Sequence, residues 1–427
     1  MDSQEGNNRK YASIMPSLKL KIPSLHIKRI TWKIQPSQMT LVPAVITLAL
    51  MSSLCISLSD AGFQLVSYLS LAIILASLIA ILPLQLRNGY ITMYGALNLA
   101  AMTMLIGMTI VNVQDIKNCI YHACTIFLYL LLLCYYTKRF KFILVCFALA
   151  LSFCIYINFF HMLVHPELWF MGKSVSKEAG GYLLGGSYNQ MGIRMVVAIG
   201  INLLCTHYSR KWLFNIIPLI IICIISLALV GSMTSLSGII ILAILCTIPS
   251  IRLQKVGIFA LFIIFLLFQI FVVFSGKGLE SNELAVYIVE DVLHKDITFT
   301  HRTDMWDSAI RVITESPIWG YGYVDGVWFK SNMSSFALGP HNMILAFLIF
   351  GGTILLALYI AILYKAFKSI APYINERSTL LLLAAMITSW FMALMEMYPF
   401  TIMFLMPAVA YYYGRSRKEA DKIKEKG

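Results

Sequence analysis

From residue 40 to residue 414 the chain passes through one apolar stretch after another, interrupted by a single long polar loop. A window of about 19 residues gives approximate spans at 40–58, 62–84, 90–112, 117–136, 142–163, 187–206, 213–230, 236–250, 256–275, 341–364, 379–396 and 398–414. Each is near the roughly 20 residues a helix needs to cross a bilayer. The pattern predicts an all-α polytopic membrane protein with about 12 transmembrane helices. Composition agrees, because only 12% of residues are charged, against about 25% in a soluble domain.

The formal charge of +13 raises the question of nucleic acid. Lys and Arg, however, sit in short clusters at the ends and between apolar spans, as the positive-inside rule distributes them, with attraction to anionic membrane lipid following from it. No nucleic-acid partner is expected. Placing the basic segment 1–39 in the cytoplasm also puts Lys138-Arg139, Arg210-Lys211, Lys365 and Arg377 there. The expected organisation is a cytoplasmic segment 1–39, spans one to nine in 40–275, an extracytoplasmic loop 276–340, spans ten to twelve in 341–414 and a cytoplasmic tail 415–427. The first segment is too long and polar for a signal peptide. The nine cysteines lie in or beside apolar spans with no C-x-x-C, which argues against a metal site or a disulfide framework.

In the long loop, Met305, Trp306, Ala309, Ile310 and Ile313 mark one face of a helix that Pro317 ends. Such a helix is expected to lie along the outer leaflet, apolar face down. Arg302 opens it and His341 opens the next span, both at the same water–lipid boundary. An Arg fork suits phosphate oxygens, and a His there serves as base or phosphate ligand; the plainer reading has Arg302 snorkelling or paired with Asp304. Asn189 enters the bilayer after a glycine-rich stretch and Arg194 follows about one turn deeper. An intramembrane Arg usually faces a cavity or a partner. The turn Gly231 to Gly238 reads as small-residue packing, Glu396 as either a base or a solvated turn residue, and His161 and His165 as surface histidines.

The order Thr300-His301-Arg302-Thr303-Asp304-Met305-Trp306, Pro317, Gly320, Gly322 and His341-Asn342 resembles the loop signature of the O-antigen ligase and polysaccharide polymerase superfamily. The run KDITFTHRTDMW is similar to exopolysaccharide polymerases in particular. The chain departs from the pattern at His301, where a Gly is usual, and at Met233, where the ligases usually carry an Arg. The resemblance implies glycan transfer at the outer face of the bacterial cytoplasmic membrane, toward the periplasm or cell exterior. Its implied donor is an undecaprenyl-diphosphate-linked glycan and its acceptor a sugar hydroxyl of a glycan or glycolipid, with a chain-length regulator as a further partner. No cofactor, nucleotide sugar or metal is implied. For such a reaction the expected catalytic residues are His341 as base or phosphate ligand, Arg302 stabilising the leaving diphosphate and Glu396 as the competing base, with donor diphosphate binding expected at Arg302, Arg194, Asn189 and Asn342. A polymerase is the first expectation, a ligase transferring glycan to lipid A core the second. A transporter of lipid-linked oligosaccharide is the alternative from another class.

Overall fold

A computed structural model describes residues 38–55, 64–87, 92–166, 182–185, 188–275, 302–335 and 337–425. The basic N-terminal stretch to residue 37, Asp60, Gly180, Gly181, Gly186, Ser187 and the loop from 276 to His301 lie outside the described residues. The helical bundle belongs to the unit Leu41–Gly427.

Among the described residues, twelve helices coincide with the twelve apolar stretches, within a few residues at most ends. They are α1 (Gln38–Cys55), α2 (Gln64–Arg87), α3 (Met93–Val111), α4 (Ile116–Tyr135), α5 (Phe140–Val164), α6 (Tyr188–Cys205), α7 (Leu213–Leu229), α8 (Met233–Thr247) and α9 (Ile251–Phe268). Two loop helices follow, α10 (Arg302–Glu315) and α11 (Gly326–Asn332), and then α12 (Met343–Ile370), α13 (Arg377–Met392) and α14 (Phe400–Lys424). Six of the described helical segments are long and apolar enough to cross a membrane by length and composition. The protein is an all-α membrane protein.

Helix α6 falls short of that hydropathy standard for a physical reason. Every residue from Met191 to Cys205 is buried, because α5, α7, α8, α13 and α14 surround it. A helix that never meets lipid can carry polar side chains, provided the protein satisfies them. Asn202 illustrates this: its amide nitrogen donates to Ser152 Oγ at 3.0 Å, and its Oδ1 accepts from Asn215 Nδ2 at 2.9 Å. The pair ties α5, α6 and α7 together inside the bundle.

Helix α12 is broken. Gly351 and Gly352 leave helical geometry, Gly352 at φ 60° and ψ −162°, a region open in practice only to glycine. A break at membrane depth frees backbone groups that lipid cannot satisfy. The segment after α10 satisfies them: Tyr321 N–H donates to Ile349 O at 2.8 Å and Gly322 N–H to Phe350 O at 2.9 Å, while Thr353 N–H donates to Pro317 O at 2.8 Å. Gly320, at φ 67°, allows the approach, since a Cβ there would come within 2.6 Å of Gly351 N. The Pro317-to-Gly322 stretch is thus a clip on a broken helix. It also reaches α3, where Tyr323 N–H donates to Thr109 Oγ1 at 2.8 Å.

Anchored by this clip, α10 turns its apolar face inward. Met305, Trp306, Ala309 and Val312 are buried, α10 packs on α12, and Trp306 meets Phe268 edge-on at 6.3 Å. That corrects the expectation of a helix resting face-down on lipid: the same hydrophobic face covers protein instead. At the opposite end of the bundle from α10, Arg417 of α14 grips Glu376 with two hydrogen bonds of 2.5 and 2.8 Å and lies 3.2 Å from His207 Nε2.

Candidate functional site

The linker joining α13 to α14, residues 393–399, carries no regular structure of its own beyond a turn. An apolar run ending in a short polar turn would normally hydrogen-bond to water. Here four residues on three other helices, α12, α10 and α6, supply the donors. Ala393 O accepts from Met343 N–H at 2.9 Å, and Leu394 O from Asn342 Nδ2 at 3.1 Å. Met395 O accepts from Arg302 Nη1, and Met397 O from Gln190 Nε2 at 2.8 Å. Between them, Glu396 presents its carboxylate.

Glu396 is the hub of the site and is only 3% exposed. Its Oε1 accepts from Arg302 Nη2 at 2.6 Å and from Asn189 Nδ2 at 3.0 Å; its Oε2 lies 3.1 Å from His341 Nδ1. A buried carboxylate is tolerable only when paired and hydrogen-bonded, and these three partners meet that condition. Four sequence candidates spread over more than two hundred residues, Asn189, Arg302, His341 and Glu396, therefore meet at one carboxylate. Arg302 pairs with Glu396, where the plainer sequence reading had paired it with Asp304.

The pairing also decides which ring nitrogen of His341 carries the proton. An ionised carboxylate only accepts hydrogen bonds, so Nδ1 donates to Glu396. In the neutral ring Nε2 is then left as an acceptor. The His341 side chain is 29% exposed while that of Glu396 is 4% exposed, so the glutamate is enclosed behind the more accessible imidazole. His341 holds a left-handed backbone, φ 46°, unusual for a residue with a Cβ. Asn342 follows as the N-cap of α12, its Oδ1 accepting from Leu345 N–H at 3.0 Å and its Nδ2 donating to Gln269 Oε1 at 2.8 Å. Gln269 opens a π-helical turn at the end of α9, a local irregularity that recurs at functional sites. Asn342 is thereby engaged in holding the start of α12.

Arg194 stands one step from the hub. It is 7% exposed, and its Nη1 donates to Gln190 O at 2.7 Å and approaches Gln190 Oε1 at 3.3 Å. Gln190 in turn donates to the neighbour of Glu396, so it links the buried guanidinium to the hub. Gly185, at φ 85°, lies against Arg194, where a Cβ would fall 2.5 Å from Nη1. The turn before α8 does more than pack helices. Ser232 and Ser235 are buried, with Ser232 Oγ 3.5 Å from Asn189 Oδ1 and Ser235 Oγ 3.4 Å from Asn189 O. Met233, standing where the resemblance suggests an arginine, is 72% exposed. His161 and His165 lie ring against ring at 4.6 Å, and neither hydrogen-bonds to the hub.

Gln190 and Gln269 escaped the sequence reading. An amide inside an apolar run, here in the sixth and ninth spans, was the signal that would have drawn attention to them.

In comparisons with known proteins, no curated protein matches the chain. Residues 216–360 match the family model described as O-antigen ligase. The matched stretch runs from α7 into α12 and holds Arg302, His341 and Asn342, whereas Asn189, Arg194 and Glu396 fall outside it and are joined to it only by the fold. The match supports placing this chain in the O-antigen ligase and polymerase superfamily, whose members are membrane glycosyltransferase-like enzymes.

Proposed function

We propose that the protein is a polysaccharide polymerase of the bacterial cytoplasmic membrane. It transfers a glycan from an undecaprenyl-diphosphate carrier to the hydroxyl of an acceptor sugar at the outer membrane face. The observation that carries this reading is the convergence of Arg302, His341 and Asn189 on the buried carboxylate of Glu396.

Glycan transfer of this kind needs a base for the acceptor hydroxyl and positive charge for the leaving diphosphate. Glu396 holds His341 with Nδ1 protonated, so Nε2 takes the proton from the acceptor O–H. The freed oxygen forms its bond to the anomeric carbon as the bond from that carbon to the diphosphate oxygen breaks. Arg302 and Arg194 offset the charge gathering on the diphosphate, the kind of preorganised stabilisation that often makes the largest contribution. Glu396 has three partners and almost no exposure, so its role is to orient His341 and Arg302 rather than to act as the base. Asn189 fixes Glu396 from the α6 side, and Asn342 holds the segment that carries His341.

The test is the length distribution of glycan made by cells carrying Arg302→Ala or His341→Ala, resolved as a ladder beside wild type. Collapse to a single repeat on its final carrier supports a polymerase. Long chains accumulating on the lipid diphosphate would instead make the protein a ligase. Wild-type ladders from both variants would remove this site from consideration.

A further inference from the structure

The enclosed polar atoms near the hub without a hydrogen-bonding partner among the described residues include the hydroxyl of Tyr398 and Nδ1 of His122. Tyr398 is 2% exposed and sits two residues after Glu396, in the linker whose carbonyls the surrounding elements hold. A buried hydroxyl without a partner loses its hydration and gains nothing in return. Phenylalanine at this position would fill the same space without that cost, so the hydroxyl is disadvantageous to the unliganded fold.

The surroundings indicate what the hydroxyl is for. Tyr398 directly follows Met397, whose carbonyl accepts from Gln190, the residue to which buried Arg194 donates, and it lies two residues after Glu396, which Arg302 grips; the charge of Arg194 also reaches His122 on α4. Tyr398 is therefore tied through its neighbours in the linker to two guanidinium groups on two different helices, Arg302 on α10 through Glu396 and Arg194 on α6 through Gln190 and Met397. His122 packs its ring against Tyr323 at 5.2 Å, so the wall on that side is held by the same segment that clips α12. A neutral O–H donor between two cations favours a ligand rich in acceptor oxygens and negative charge. Phosphoryl groups have that character.

We propose that Tyr398 is a donor-binding residue, its hydroxyl donating a hydrogen bond to a phosphoryl oxygen of the lipid diphosphate held between Arg302 and Arg194. The inference rests on the proposed lipid-diphosphate donor and adds a contact to it. The hydroxyl gives no proton away; it completes its hydrogen bond only when the diphosphate is in place, which makes the bond selective for the loaded protein.

The experiment uses the full chain purified in lipid nanodiscs, a short-chain polyprenyl diphosphate as probe, and the variants Tyr398→Phe and Arg302→Ala. Binding and the thermal unfolding midpoint are both measured. Tyr398→Phe is expected to unfold, without probe, at the same temperature as wild type or higher. It is expected to bind the diphosphate about ten- to a hundred-fold more weakly, as loss of one hydrogen bond to a charged group implies. Arg302→Ala should also weaken binding. Wild-type affinity in Tyr398→Phe alongside weakened Arg302→Ala would overturn the Tyr398 assignment and leave the donor reading intact. A Tyr398→Phe midpoint several degrees below wild type would overturn it too, because the hydroxyl would then be structural. If wild type itself fails to bind the diphosphate, the donor reading falls and the inference falls with it.

Discussion

Glu396 illustrates how a single side chain can gather a site that the sequence disperses. Its position after an apolar run leaves base and solvated turn residue equally open; only the fold shows that Asn189, Arg302 and His341 all reach it. The arrangement makes Glu396→Gln a sharp probe. Glutamine keeps the size but offers one acceptor oxygen and one NH2, so it no longer holds Nδ1–H of His341 and the Arg302 guanidinium together. Glycan transfer by purified Glu396→Gln is expected to fall by about 100-fold or more, with helical content by circular dichroism unchanged. A second expectation concerns Arg302, which uses one nitrogen for Met395 O and another for Glu396. Lysine has a single ammonium and lacks the planar fork, so Arg302→Lys should behave nearly as Arg302→Ala in the same transfer assay.

Among the elements, α12 and the clip beneath it carry the most consequence. Gly352 has a backbone conformation closed to other residues, and a Cβ there would overlap Ile318 O. Gly352→Ala is therefore expected to cost about 2–3 kcal/mol or more, read as a lowered thermal midpoint or as loss of protein from the membrane fraction. How far these elements could be read from sequence follows their chemistry. Apolar length placed the helices, since hydropathy depends on local composition. Arg302 and Trp306, one helical turn apart, marked α10 correctly, because Trp306 anchors the helix while Arg302 projects from its first turn. What periodicity could not supply was the surface α10 covers, since lipid and the side of α12 are equally apolar. Nor could it reveal that residues 317–322 hydrogen-bond to residues 349–353. Backbone-to-backbone pairing between distant segments leaves no mark in side-chain pattern beyond the glycines that permit it. Met233 shows a related limit, for the position alone did not disclose that its side chain would be largely exposed.

Across the whole molecule, the two ends of the bundle differ in charge. Arg210, Lys211, Lys365, Lys368 and Arg377 lie at or near helix ends away from Glu396, as the positive-inside rule requires if the hub faces outward. A cysteine placed at Lys330 should then react with an impermeant thiol reagent added to intact spheroplasts, and one at Lys211 only after lysis; the reverse pattern would invert the topology. The basic end also titrates. Burial and the neighbouring Arg417 hold His207 below its ordinary value of 6.5, with Glu376 opposing them. A folded-state value below the unfolded one means the fold disfavours the protonated ring, so stability is intact above about pH 6.5 and declines as pH falls through the depressed value. Thermal midpoints measured from pH 7.5 to 5 should fall more steeply in wild type than in His207→Gln. The linker at 393–397 has one further consequence, in time rather than in space. Synthesis runs from the N-terminus, so Asn189, Arg194, Arg302 and His341 are already inserted while the glutamate that gathers them has yet to be made. A nascent chain therefore holds these side chains apart until the linker before α14 is made, so under the proposed roles an unfinished chain lacks the assembled site.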